Sequence, residues 1–139
     1  MKIFMKMFMA LHVFIYRLSG GRLGGSMNGF KVLILSTVGR KSGQVHNNPV
    51  AYFEQGNDYL VVASNGGQDK SPAWYYNLKA NPTFNIQVQD RVLPVRAEIV
   101  NSEKRPALWK MVVDTAPAFG KYEQSTTREI PLVLLHLAK

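Results

Sequence analysis

Phe30-Lys-Val-Leu-Ile-Leu-Ser-Thr-Val-Gly-Arg-Lys-Ser-Gly43 runs from an apolar segment straight into a turn bracketed by two glycines. Phe30 to Ser36 has the composition of a buried strand. The glycine turn leads into a second strand pattern, Val45 to Glu54, and a third follows from Asp58 to Ser64 after a hairpin turn at Gln55-Gly-Asn57. Pro49 has no N–H to give a ladder, so the middle strand is expected at an edge or a bulge. Further along, Phe84-Asn-Ile-Gln-Val-Gln89 alternates, Asp90-Arg91 turns, and Val92 to Val100 continues with Pro94, a pattern expected of a hairpin with one wet face. Glu129 to Leu137, rich in Val, Leu and Ile, reads as the closing strand. Helical patterns occupy residues 1–18, Ser71 to Pro82 with a serine cap and Pro72 in the first helical position, and Ser102 to Val113 with a second serine cap. Six strands linked by hairpins rather than strand–helix–strand units predict an antiparallel or mixed sheet curled toward a barrel.

A chain of 139 residues with 46% hydrophobic content fits one compact domain. Seventeen Lys and Arg against nine Asp and Glu leave a formal charge of +8, which favours anionic partners. These cations are scattered, with no run of five, so no nucleic-acid stripe is expected. Cysteine is absent, which excludes disulfides, thiolate metal sites and a cysteine nucleophile, and suits a reducing cytoplasm.

Lys2 and Lys6 precede Met, Phe, Leu, Val and Ile residues in a segment that could pass for a signal sequence. His12 interrupts it, and Arg17-Leu-Ser-Gly-Gly21 offers no small-x-small cleavage site. The uninterrupted apolar runs, Met7 to Leu11 and Val13 to Tyr16, fall far short of the roughly 20 residues a membrane span needs. A helix over residues 1–18 is expected to dock on the core or on a partner in preference to lying on a membrane surface. The expected organisation is therefore an N-terminal apolar helix, 1–18, followed by one cofactor-binding domain, 19–139.

Between Gly39 and Gly43, Arg40 can grip an oxyanion in bidentate fashion, Lys41 adds a compact point charge and Ser42 a hydroxyl, while glycines allow positive φ and close approach. A second segment, Val61 to Pro82, reads as strand, glycine loop and short helix; were its loop to lie beside Arg40, a joint anion site would form with the helix amino terminus near Lys70. Of Trp74, Tyr75 and Tyr76, consecutive on a helix, Trp74 on the first turn is best placed to cover a flat ring. Asn77 could bond a loop backbone or a ligand, the structural role being preferred. The histidines, His12, His46 and His136, show no metal spacing, so no metal is expected. Asp58, Asp69 and Asp90 all fall in turns and form no catalytic carboxylate pair. There is no G-x-S-x-G elbow, no G-x-G-x-x-G and no phosphate loop of the G-x-x-x-x-G-K-[ST] kind. A chain so poor in reactive groups, yet holding a phosphate cradle and ring-sized aromatics, points to an enzyme whose cofactor does the chemistry.

The sequence resembles the deazaflavin-dependent nitroreductases, or F420H2-dependent oxidoreductases, in six blocks in order: Gly-Gly-Arg-Leu-Gly-Gly at 20–25, Thr-Val-Gly-Arg-Lys-Ser-Gly at 37–43, Asn48-Pro49, Val-Ala-Ser-Asn-Gly-Gly at 62–67, the Pro72 to Pro82 segment and Thr126-Thr-Arg-Glu-Ile-Pro131. The resemblance implies a six-stranded antiparallel split β-barrel with short flanking helices, of α+β or mainly β class. It also implies hydride transfer from reduced coenzyme F420 to a small organic acceptor: a quinone, an enone or a nitro compound. By analogy Arg40, Lys41 and Ser42 grip the phosphate and tail; Val62, Ala63 and Ser64 lie against the ring; Gly66 and Gly67 allow its close approach; Lys70 sits near the tail; Trp74 forms the pocket wall; Pro49 and Tyr52 face the groove. Tyr122 and Ser64 are the expected catalytic residues.

Nitro-reducing members carry several tyrosines before the last strand, where this chain keeps only Tyr122 and has Phe119, which favours a quinone or enone acceptor. Asn65 and His46 stand where members often carry basic residues. Two alternatives remain: a flavin mononucleotide (FMN) oxidoreductase on the same barrel, and a non-catalytic cofactor or lipid carrier with Met1 to Tyr16 as lid or membrane contact. Barrels of this kind often pair, so a homodimer is among the expectations, as is peripheral membrane contact through residues 1–18.

Overall fold

The computed structural model describes residues 2–21, 26–27, 30–64 and 70–138. Helix α1 (Lys2–Leu18) is followed by strands β1 (Ser26–Met27), β2 (Phe30–Val38), β3 (Val45–Gln55) and β4 (Asp58–Val62), helix α2 (Ala73–Ala80), strands β5 (Thr83–Val88) and β6 (Arg91–Ile99), helices α3 (Arg105–Thr115) and α4 (Ala118–Gln124), and strand β7 (Leu132–Leu137). Six antiparallel strands in the order β2-β3-β4-β7-β6-β5 close into a barrel through the β2–β5 pairs Ile34↔Gln87, Leu35↔Ile86 and Ser36↔Asn85. The two-residue β1 adds a short extension to β2. This is the expected barrel, with one further helix.

Side chains alternate along each strand, which divides the core into two layers. Leu33 and Leu35 of β2, Tyr52 of β3, Tyr59, Val61 and Ala63 at β4, and Val133 and Leu135 of β7 fill the interior, plugged at one end by Trp74 and Leu78 of α2. Their neighbours on the same strands, Phe53, Leu60, Val62, Leu132 and Leu134, face outward and are covered by Val112 and Ala116 at α3 and Phe119 of α4. Outside β2, Val13 and Tyr16 of α1 pack on Ile34. The fully buried Tyr16 donates its hydroxyl proton to the Gln87 carbonyl (3.3 Å) and accepts from the Gln89 N–H (2.6 Å). The other side of α1 leaves Met7, Phe8, Leu11, Phe14 and Leu18 exposed. Among the described residues, no helix is long and apolar enough to cross a membrane.

One local expectation is met in part and others are corrected. Pro49 pairs with Ile34 inside the barrel wall, yet β3 from Val45 to Ala51 is paired to β2 alone and meets β4 only from Tyr52 onward, so one side of Pro49 is free of a ladder. Helix α2 begins at Ala73 with Pro72 as its N-cap and no side-chain cap, because the Ser71 hydroxyl instead accepts from Arg128 Nη1 (3.2 Å). Ser102 does not cap α3. Its N-cap is Lys104, with no side-chain cap, and Asn101 orders the turn that leads into the helix, its Oδ1 accepting from the N–H groups of Glu103 (3.1 Å) and Lys104 (3.0 Å). Helix α4 was not expected: its seven residues make about two turns with Gly120 among them, too short to show a periodicity, and it is held by Phe119, whose ring meets Phe53 edge-on.

Candidate functional site

The turn after β2 is closed by Gly39 N–H to the Gln44 carbonyl (2.7 Å) and Gly43 N–H to the Gly39 carbonyl (2.9 Å). Gly43 has φ +71°, as expected of a turn glycine. Gly39 serves differently: a Cβ there would lie 2.7 Å from Ser42 Oγ and 2.8 Å from His46 Nε2, so its missing side chain makes room for that hydroxyl and imidazole to fold over the backbone. The Ser42 hydroxyl also accepts from the Gln44 N–H (3.2 Å).

Helix α2 lies against this turn. Asn77, buried at 5% exposure, accepts at Oδ1 from the Arg40 backbone N–H (3.2 Å) and from Arg40 Nη1 (2.8 Å). The same Nη1 lies 3.5 Å from the Ala73 carbonyl, and the guanidinium stands 5.4 Å from the centre of the Tyr76 ring. Helix α1 approaches from the other side, where Arg17 donates to Gln87 Oε1 (3.2 Å), Asn47 Oδ1 (3.0 Å) and Ser36 Oγ (3.4 Å). Between them opens a groove of about 1120 Å³. One wall is apolar, built from Met9, Ala10, Val13, Phe14 and Leu18 of α1; the other carries Arg40, Lys41, Ser42 and His46; Trp74 and Asn77 close one end. Arg17 adds a third permanent cation, and no carboxylate lines the groove among the described residues. Such a site suits a ligand with an anionic part and an apolar, ring-sized part.

Four of the expected site residues meet here: Arg40, Lys41, Ser42 and Trp74. The others that the structure describes lie outside the groove lining. Pro49 is half-buried on β3 beside the groove residue Asn48. Tyr52 and Ala63 are in the barrel interior, where burial first and neighbouring phenols second push the Tyr52 hydroxyl up to about 12. Val62 faces the α3–α4 layer. Ser64 is buried and its carbonyl accepts from Arg128 Nη2 (2.8 Å), while the exposed Lys70 offers its carbonyl to the same nitrogen (3.4 Å). Tyr122 packs its ring edge-on against Phe119, centroids 5.5 Å apart, in the outer layer. Gly66 and Gly67 lie outside the described residues. Arg128, which also donates to the Ala63 carbonyl (3.1 Å), clasps both ends of the segment that contains them. No local pattern marks this role of Arg128, because its acceptors are some 60 positions away in the chain.

A different polar cluster sits at the other end of the strands. His136 of β7 lies between Asp58 of β4 (Nδ1 to Oδ2, 2.8 Å) and Glu98 of β6 (Nε2 to Oε1, 2.7 Å), and Glu98 also takes Lys104 (3.1 Å). The hydrogen bonds to Glu98 and then Asp58 raise the imidazole above its ordinary value. The bond from His136, followed by that from Lys104, lowers Glu98. Burial works to raise Asp58, but the bonds from His136 and the Leu137 N–H outweigh it and the net shift is downward. The two carboxylates flank opposite ring nitrogens, and no group of metal-ligating side chains occurs among the described residues.

The sequence pattern of the F420H(2)-dependent quinone reductases matches residues 8–136. An F420H(2)-dependent quinone reductase of Mycobacterium tuberculosis is 39% identical over 129 residues, covering 90% of this chain and 87% of that protein. Among solved structures, an F420-H2 dependent reductase, FDR-A, is 38% identical with a TM-score of 0.69, over 76% of this chain and 93% of its own. A second, described as a domain-swapped dimer, is 32% identical with a TM-score of 0.73, over 91% of this chain and 93% of its own.

Proposed function

The chain belongs to the F420H(2)-dependent quinone reductase family, and from that premise we propose that its groove binds reduced coenzyme F420 and presents it to a quinone. The protein is an oxidoreductase of the split-barrel class. The single observation that carries the placement is the bipolar groove, with cations and a hydroxyl on one wall, an apolar helix on the other and Trp74 at the end. The residues fit the coenzyme: Arg40, Lys41 and Ser42 face its anionic part, and Trp74 offers a flat surface to the ring. When bound, reduced F420 supplies a hydride. The chain's own contribution is binding and orientation: cations hold the anionic part from one side, and α1 gives the acceptor an apolar wall that excludes water. Pairing of two copies is supported by the domain-swapped relative; a dimer mass in sedimentation equilibrium is expected, and a monomer at working concentration would count against it.

Titration of the purified protein with F420, with FMN as control, tests the assignment. Selective binding of F420, followed by oxidation of its reduced form when a quinone is added, is expected. Preference for FMN, or binding of neither, defeats it.

A further inference from the structure

Asn77 is the buried polar side chain of α2, and both hydrogen bonds recorded at its Oδ1 come from one residue, Arg40. We propose that Asn77 is a positioning residue for the anion site, a neutral acceptor that fixes the Arg40 guanidinium against α2 without neutralising its charge. This rests on the reading of the groove as the coenzyme site.

A guanidinium has five N–H donors in a rigid fork. In Arg40 the Nη1 edge is committed to Asn77 and the Ala73 carbonyl, and the plane is held near Tyr76 at 5.4 Å. Nε and Nη2 make no hydrogen bond among the described residues, and Arg40 lines the groove, so they form its free edge. The second bond, to the Arg40 backbone N–H, fixes the turn itself, so one amide oxygen sets both the main chain and the side chain of the cation. An amide at position 77 meets two requirements together. A carboxylate there would make the same bonds but form an ion pair that cancels the attraction for an anion. An aliphatic side chain would leave the charge intact but unanchored.

The test compares Asn77→Leu and Asn77→Asp by titration with oxidised F420 over a series of salt concentrations, each alone and combined with Arg40→Ala. Asn77→Leu is expected to weaken binding about tenfold with an unchanged salt dependence, the loss of one charge-assisted contact. Asn77→Asp is expected to weaken it with a flatter salt dependence, since one cation no longer acts on the ligand. The loss in Asn77→Leu should be clearly less than additive with that in Arg40→Ala, because its larger part works through the guanidinium and only the bond to the backbone N–H of residue 40 survives in Arg40→Ala. Binding by Asn77→Leu within twofold of the parent, with only the melting temperature lowered, overturns the proposal, as does full additivity with Arg40→Ala. Should Asn77→Leu not fold, Asn77→Asp decides alone: it keeps the acceptor, and parental affinity with parental salt dependence sinks the idea. Lys41→Ala separates this from the coenzyme reading. If it weakens F420 binding while the Asn77 variants do not, the role of Asn77 alone is lost; if it too binds normally, the site reading falls and takes the proposal with it.

Discussion

The two ends of the barrel handle charge in opposite ways. At the end away from the groove, His136, Asp58, Glu98 and Lys104 satisfy one another across three elements of structure, and little is left to offer a ligand. At the groove end the cations are held by neutral groups: Arg40 by the Asn77 amide, Arg17 by Gln87, Asn47 and Ser36. Lys41 is exposed and makes no hydrogen bond or ion pair among the described residues. Positive charge anchored by neutral acceptors keeps its field, whereas positive charge anchored by carboxylates is used up in stability. The location of an anion site in a basic protein is therefore marked by what the cations touch more than by where they are.

The sharpest challenge to that contrast comes from Trp74, which belongs to the groove and to the barrel core at once, 7% exposed. Trp74→Ala is expected to lower unfolding free energy by about 3–5 kcal/mol and to weaken F420 binding as well, read by denaturant melts beside coenzyme titration. Loss of binding with unchanged stability would mean that the indole is a ligand surface and no part of the plug.

A smaller effect is expected at the far end. His136→Gln should lower stability by about 1 kcal/mol near pH 5.5, the side chain being 39% exposed and its ion pairs screened, and should leave F420 affinity unchanged. The sign follows from the shifts. Because His136 is raised above 6.5 in the folded chain, its contribution is complete below that value and disappears as the pH climbs through the folded value. Asp58 and Glu98 are lowered from 3.8 and 4.5, so their contribution is present above those values and lost as acid protonates them. The parent and the variant should therefore differ most between about pH 4.5 and 6.5 and converge at alkaline pH. A stability difference that persists unchanged above pH 9, or a shift in coenzyme affinity, would break the division of labour between the two ends.

Much of this was legible in the chain. The alternation of β5, the hairpin signals at Gln55-Gly-Asn57 and the glycine-bracketed turn each depend on neighbours in sequence, and the barrel wall follows from them. Arg40, Lys41 and Ser42 declared themselves for the same reason. Among their companions Trp74 was legible too, from its place on the first turn of a short helix, but others were not. His46 showed only a lack of metal spacing and a place where members often carry a basic residue, and its ring reaches Gly39 only because β2 and β3 pair Thr37 with His46. Val62 and Ala63 are adjacent in a block that read as ring-contacting, yet the pleat sends them to different layers. Asp58 read as a turn residue and His136 as a strand residue, and nothing local joins positions 78 apart.

By itself the sequence determined the strand periodicity, the turn chemistry, a cationic cradle between Gly39 and Gly43, and the family to which these belong, because each is written in short-range spacing. Only the tertiary structure decided which wall faces that cradle. Closure of β2 on β5 and the docking of α1 and α2 set Arg17, Asn77 and Trp74 around it, and those contacts depend on barrel curvature and packing across the whole chain, which no local window of residues contains.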